Sequence, residues 1–318
     1  MKPQRGMALI TVLVVVAVVT VVCAGIIARQ QLAIRSTANQ LLVRQAWHYA
    51  LGGEILAKAI LRRDLQQGDP RTPRDYLGEP WAQLRTPFAL DNGTLRVQIL
   101  DVSGRFNLNR LADAGEAGEA ARVQFRRLLA ILQIDVAYAE RLTDWLDEDS
   151  EPSGGAGAED DQYLLAQPAY RAANRLLTDV SELRLLGMAE RDYQRLQPLV
   201  SALPVEAPLN INTASAPVIA SLAEGLSLAD GVALIEARGA EGFSDVQAFV
   251  GRLPALGISG GGLAVGSMHF EVLTEVQIGE RRQVLHSQLQ RTTEGEVYVL
   301  ARDLGRSGLP APDKEALP

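Results

Sequence analysis

The densest run of groups able to do chemistry in this chain is acidic. Asp144-Trp145-Leu146-Asp147-Glu148-Asp149-Ser150-Glu151-Pro152 is followed by a Gly-rich stretch, residues 153–158, and then by Glu159-Asp160-Asp161. Two acidic groups joined by a flexible loop can fold back on each other, and without a cation their mutual repulsion is unfavourable. Ca²⁺ takes about six to eight oxygens in loose geometry and suits such a pair. The spacing is not that of an EF-hand. Asp147, Asp149 and Glu151 begin one, but Pro152 stands at the required glycine and Ala158 where the bidentate glutamate belongs. On composition alone a solvated acidic loop and a cation site both stay open. Zinc does not fit, because His48, His269 and His286 are scattered and the lone cysteine is Cys23.

Other chemistry is absent from the pattern. There is no G-x-S-x-G, no H-E-x-x-H and no phosphate-binding glycine loop, and Gly260-Gly261-Gly262 runs into Leu263 as a linker. We therefore expect no enzyme. A net charge of −7 argues against nucleic acid as a partner. The rival reading is a membrane-anchored DNA-binding or uptake protein, because residues 210–249 look like the helix-hairpin-helix of competence DNA-binding proteins. That hairpin carries Glu224, is followed by Asp230, and has Arg238 as its nearest downstream base. This balance repels a phosphate backbone.

The elements that position these groups follow from periodicity. From residue 29 to about 67 apolar residues recur at helical steps, with Gly52-Gly53 as a weak point and Gly68-Asp69-Pro70 as the stop. A proline-rich connector spans 70–87. Strand alternation marks 94–102, 269–278, 283–290 and 296–301, with turns at Gly279-Glu280 and Glu294-Gly295. The first strand is far from the others, so 105–266, mostly helical, reads as an insertion. It holds a weak repeat: Phe106-Asn107-Leu108-Asn109-Arg110-Leu111 resembles Leu209-Asn210-Ile211-Asn212-Thr213-Ala214. Each copy leads to a helix, a short apolar hairpin (129–134 and 222–226) and a further helix, with Asn109 and Asn212 expected as N-caps. Residues 304–318, rich in Gly and Pro, read as a flexible tail.

The N-terminus carries the addressing information. A basic leader, residues 1–6, runs into Met7–Ala28, which has no charge and makes about 33 Å of helix, enough to cross a bilayer. Continued to residue 67 it becomes a helix of roughly 90 Å. The apolar run is too long for a cleaved secretory signal, and no small-x-small site follows. A plain single-span anchor is one alternative. The other is a prepilin-type leader, because Gly6-Met7-Ala8-Leu9-Ile10-Thr11 resembles the junction that prepilin peptidase cuts after Gly6, leaving Met7 as the new N-terminus. Most of the pilin superfamily has Glu at the fifth mature position; here it is Thr11. An unpaired carboxylate in a bilayer is costly and kept only where a partner waits. Thr11 thus suits a subunit with no neighbour ahead of it. Charge counting does not orient the span, since Lys2 and Arg5 are matched by Arg29, Arg35 and Arg44. The lone Cys23 reads as helix filler.

Taken together, the ordered set resembles the minor pseudopilin K family of type II secretion. The resemblance rests on Gly6 with Thr11, on residues 101–109, on Asp144-Trp145-Leu146-Asp147 with Gly157-Ala158-Glu159-Asp160, and on residues 209–214. It implies an α+β fold: a pilin-like long N-terminal helix packed on a small antiparallel sheet, with a large all-helical insertion of helix-hairpin-helix or SAM-like type. The implied divisions are a leader (1–6), a transmembrane segment (7–28), the pseudopilin body (29–104 and 267–303), the insertion (105–266) and the tail (304–318). It further implies a single pass through the bacterial inner membrane with the bulk in the periplasm, and an N-methylated Met7. The implied partners are minor pseudopilins I and J in a tip complex, with the major pseudopilin below. The resemblance implies bound calcium, for which Asp147, Asp149, Glu159 and Asp160 are the ligand candidates by position, with Asp144 and Asp161 next. The role implied is to initiate and cap the filament that drives folded exoproteins across the outer membrane.

Overall fold

The computed structural model describes residues 5–69, 72–84, 86–256, 258 and 260–305. The first four residues of the leader and the expected tail from 306 lie outside them. One helix, α1 (Arg5–Gln67), runs 63 residues. Its first part is exposed on every side, and among the described residues it is the one helix long and apolar enough to cross a membrane. Its upper part buries Ala46, Ala50, Gly53, Ala57 and Leu61 along one stripe. Small residues at three- and four-residue steps let the helix lie close on a sheet. Gly52-Gly53 is no weak point. The helix is continuous there, and Gly53 marks its closest approach, where a Cβ would stand 2.6 Å from Thr274 Cγ2.

The sheet is five-stranded and antiparallel. β1 (Phe88–Leu90), unforeseen after the connector, pairs with β2 (Gly93–Asp101). The chain then leaves the sheet through β3 (Phe106–Asn107), α2 (Glu116–Ile131), α3 (Ala137–Leu146), α4 (Asp160–Tyr163), α5 (Glu190–Leu196), β4 (Val200–Ser201), β5 (Leu209–Asn210), α6 (Ala216–Ala220), α7 (Leu228–Arg238), α8 (Val246–Val250) and β6 (Leu263–Ala264). It returns as β7 (His269–Ile278), β8 (Arg281–Arg291) and β9 (Val297–Asp303), in the spatial order β1-β2-β7-β8-β9. Leu95, Val97 and Ile99 of β2 and Phe270, Val272 and Val276 of β7 alternate inward onto α1. Glu54 is carried into this face and held there by Arg302 (2.7 and 2.8 Å) and by the Ser287 hydroxyl.

The inserted segment has its own buried cluster, built on Phe106, Phe125, Leu128, Leu142, Leu183 and Phe249 among others. It is not all-helical. β3 pairs in parallel with β4, and β5 with β6, so each copy of the repeat opens and closes on a two-residue bridge. The repeated asparagines explain this closure, and they correct the N-cap expectation. Asn109 N donates to Asn107 Oδ1, and Asn212 N to Asn210 Oδ1. Asn109 then brackets Leu177, taking its N–H at 2.8 Å and giving to its carbonyl at 3.0 Å. Asn212 brackets Phe243 in the same way, at 2.7 and 3.1 Å. Both are buried; Asn107 caps the short 3-10 turn Leu108–Ala112, and Ser215 stands, by position, at the cap of α6. An asparagine amide offers a donor and an acceptor on one plane, which lets it close a loop as a strand neighbour would.

Candidate functional site

The acidic loop is built outward from α3. Asp144 lies on the buried side of that helix, and its two oxygens accept from Ser153 N (2.8 Å) and Ala158 N (2.7 Å). It therefore folds the Gly-rich stretch back on the helix end. Gly157 is required there, because a Cβ would come within 2.4 Å of Asp144 Oδ2. Glu140 assists by accepting from Ala156 N. Beneath the loop Trp145, Tyr163 and Tyr170 pack ring to ring, with centroids 5.1 to 6.4 Å apart.

This folding brings Asp147, Asp149 and Glu159 together, with oxygens within 4.8 Å of one another. Both Glu159 oxygens and Asp147 Oδ1 are buried without a hydrogen-bond partner. Burial, with Asp144, Asp147, Asp149 and Asp160 adding repulsion, pushes Glu159 up to about 7. Burial, then Asp149 and Asp144, pushes Asp147 up to about 6. Unpartnered buried carboxylates are expensive unless a cation or proton joins them. Asp160 is elsewhere: its oxygens receive Arg171 (2.9 Å) and Ala172 N (3.0 Å). Asp161 is exposed, and Asp144 is spent on the loop backbone.

Sequence reasoning missed Asn174. It sits at φ +45°, a left-handed conformation asparagine tolerates, and its Nδ2 donates to the Asp149 carbonyl. Its Oδ1 is buried without a partner. Nothing in the spacing marks it; only its backbone conformation singles it out. The donor set is all oxygen with no nitrogen or sulfur, which fits a hard cation such as Ca²⁺ and not zinc.

At the N-terminus Thr11 has its hydroxyl satisfied by the carbonyls of Met7 and Ala8, so it asks for no partner outside its own helix. The segment resembling a DNA-binding hairpin is occupied as well. Ser227 caps α7 by accepting from Asp230 N while Asp230 accepts from Ser227 N in return, and Arg238 is buried and donates to the Ile211 and Ala214 carbonyls (3.0 and 2.8 Å). The nearest base downstream of the hairpin is thus unavailable to a phosphate, and Arg127, which reaches the hairpin from α2, lies 3.8 Å from Glu224.

The type II secretion system protein K of Pseudomonas aeruginosa is 58% identical over 98% of this chain and 96% of its own length. The chain belongs to the type II secretion protein K family. Models described as type II secretion system (T2SS), protein K match residues 104–205 and 209–270. The protein K of Klebsiella pneumoniae is 37% identical over 91% of this chain and 93% of that protein. Among solved structures, a chain of the GspK-GspI-GspJ complex from the enterotoxigenic Escherichia coli type 2 secretion system aligns with a TM-score of 0.75 at 29% identity, covering 85% of this chain and 99% of that one. As a protein K family member, this chain is a minor pseudopilin, and its apolar N-terminal helix fits an inner-membrane anchor.

Proposed function

We propose that this chain stands at the tip of the type II secretion pseudopilus, where it initiates and caps the filament that moves folded exoproteins across the outer membrane. The observation that carries the reading is the bulk of the inserted segment, which has its own core beside a body built around one long helix. A wide head on a narrow helical bundle leaves no room for a subunit above it. Thr11 supports the same position, because a filament end needs no carboxylate to meet a preceding subunit. The structural relative lies in a complex with GspI and GspJ; by analogy minor pseudopilins I and J are the partners here, with the major pseudopilin below.

In this reading prepilin peptidase cuts after Gly6 and methylates the Met7 amine. The chain crosses the inner membrane once, with residues 29–104 and 267–303 as the periplasmic body and 105–266 as the insertion domain. Calcium is held by Asp147, Asp149 and Glu159, with Asn174 Oδ1 as an added candidate. Deleting residues 105–266 tests the tip role: assembly with I and J and secretion should both fail, and intact secretion would sink it. Mass spectrometry of the purified chain tests the processing, with methylated Met7 expected and an intact Met1 contradicting it.

A further inference from the structure

The chain passes between the sheet and the inserted segment at residues 101–104 and returns at 266–268, where Ser267 bonds both Asp101 of the outgoing crossing and the side chain of Arg291. That side chain is 2% exposed. Its Nη1 donates to Asp64 of α1 at 3.0 Å. Its Nη2 donates to both oxygens of Asp75 (2.7 and 2.6 Å) and to the Ser267 carbonyl (2.9 Å). Asp75 also accepts from Ser267 N, and its own N–H donates to the Val265 carbonyl. Asp101, at the end of β2, accepts from Asn210, Thr213 and Ser267. One guanidinium thus ties the helix, the connector, the sheet and the returning chain together.

Charge at this joint does not balance. Oxygens of Asp64, Asp75 and Glu79 lie within 4.8 Å of one another, and Arg291 is bonded to the first two. Glu79 accepts from Tyr76 N and Trp81 Nε1, neither of them a cation. The other ionisable groups around the cluster are Asp69, Arg74 and Tyr76 of the connector and Asp101 of β2, which in turn faces His269 of β7. The inserted segment contributes only uncharged groups here, Asn210, Thr213 and Ser244, and the returning chain adds Ser267. Burial first, then Asp64 and Asp75, raises Glu79 to about 7. Burial raises Asp75 to about 6 even against Arg291.

We propose that this cluster is a proton-operated clasp: a proton on Glu79 tightens the joint between the inserted segment and the helix–sheet body, and its loss loosens it. Glu79 is the operating group because it carries no bond to Arg291, so protonating it removes repulsion without breaking an ion pair. The device sets how rigidly the head is carried on the shaft. A raised folded-state value means the stabilisation is present at low pH and lost as pH rises through about 7.

The test is hydrogen exchange of the full chain in detergent with calcium present, corrected for intrinsic rates. The amides of Asp75, Ser267 and Asn210 report on the joint, since they bond Val265 O, Asp75 Oδ2 and Ser103 O. With Glu79 returning to its ordinary value when the joint opens, opening should be about eightfold more frequent near pH 7.5 than near pH 6. Amides inside α2 serve as the reference, so the wild-type comparison stands by itself. Glu79→Gln, which keeps the acceptor oxygen, should leave only the roughly twofold response that Asp75 contributes by the same linkage. Equal corrected protection in the wild type, or a response in Glu79→Gln as large as that of the wild type, overturns the clasp.

Discussion

Glu159→Gln should remove most of the calcium response of this protein while stabilising its calcium-free form. In the absence of a cation, Asp147, Asp149 and Glu159 share a space in which their oxygens are within 4.8 Å. At an effective dielectric of about 20, each like-charge pair at that separation costs about 3 kcal/mol, and less for Asp149, which faces solvent. Glu159 and Asp147 are raised to about 7 and about 6, so the calcium-free fold binds more protons than the unfolded chain. Its stability from this loop is greatest in acid and lost as pH rises through those values. Calcium needs both groups ionised, and its contribution therefore runs the other way, small near pH 5.5 and full near pH 8. At free calcium about 100-fold above the dissociation constant the gain is about 2.7 kcal/mol, or roughly 4–5 °C in melting temperature for a body of about 280 residues. The assay is thermal unfolding of the full chain with calcium or chelator across that pH range. Asp161→Asn, at an exposed position, is the control and should respond as wild type does. A wild-type melting temperature near pH 8 that ignores chelator would refute the cation site. A full calcium shift in Glu159→Gln would refute this assignment of ligands.

Asn212→Ala leaves the Phe243 N–H and carbonyl without partners and should cost about 2–4 kcal/mol in urea unfolding. Asn109→Ala should cost a similar amount at Leu177, and a loss under about 1 kcal/mol at both would contradict the loop-closing role. Gly53→Ala drives a methyl into Thr274 and should destabilise by about 1–3 kcal/mol. Gly52→Ala meets open space and should be neutral or stabilising by up to about 1 kcal/mol. Reversal of that order in chemical unfolding would show that α1 does not pack as described.

Much of the fold was legible because its signals are local. A charge-free run of helical length and the absence of internal proline announce α1, and strict alternation announces β7 to the residue. β1 was missed because three residues carry too little alternation to register. At the acidic loop, the residue types pointed to a cluster of carboxylates, of which the fold gathers Asp147, Asp149 and Glu159 and leaves Asp160 out. Asp160 and Glu159 are neighbours with the same charge, yet one is taken by Arg171 and the other is buried unpaired. Asn174, distant in sequence and neutral, gave no compositional signal at all.

The sequence by itself determined the long anchoring helix, the strand pattern, the interrupted body and the doubled asparagine motif. Each of these depends on periodicity or on residues within a few positions of one another. Only the tertiary structure decided which carboxylates face one another, why Gly53 is a contact and not a break, and what the repeated asparagines bind. Those outcomes depend on burial and on partners far away along the chain. Side-chain type sets what a group can do, but whether Glu159 or Glu79 is left with a charge it cannot easily hold depends on what the fold packs around it.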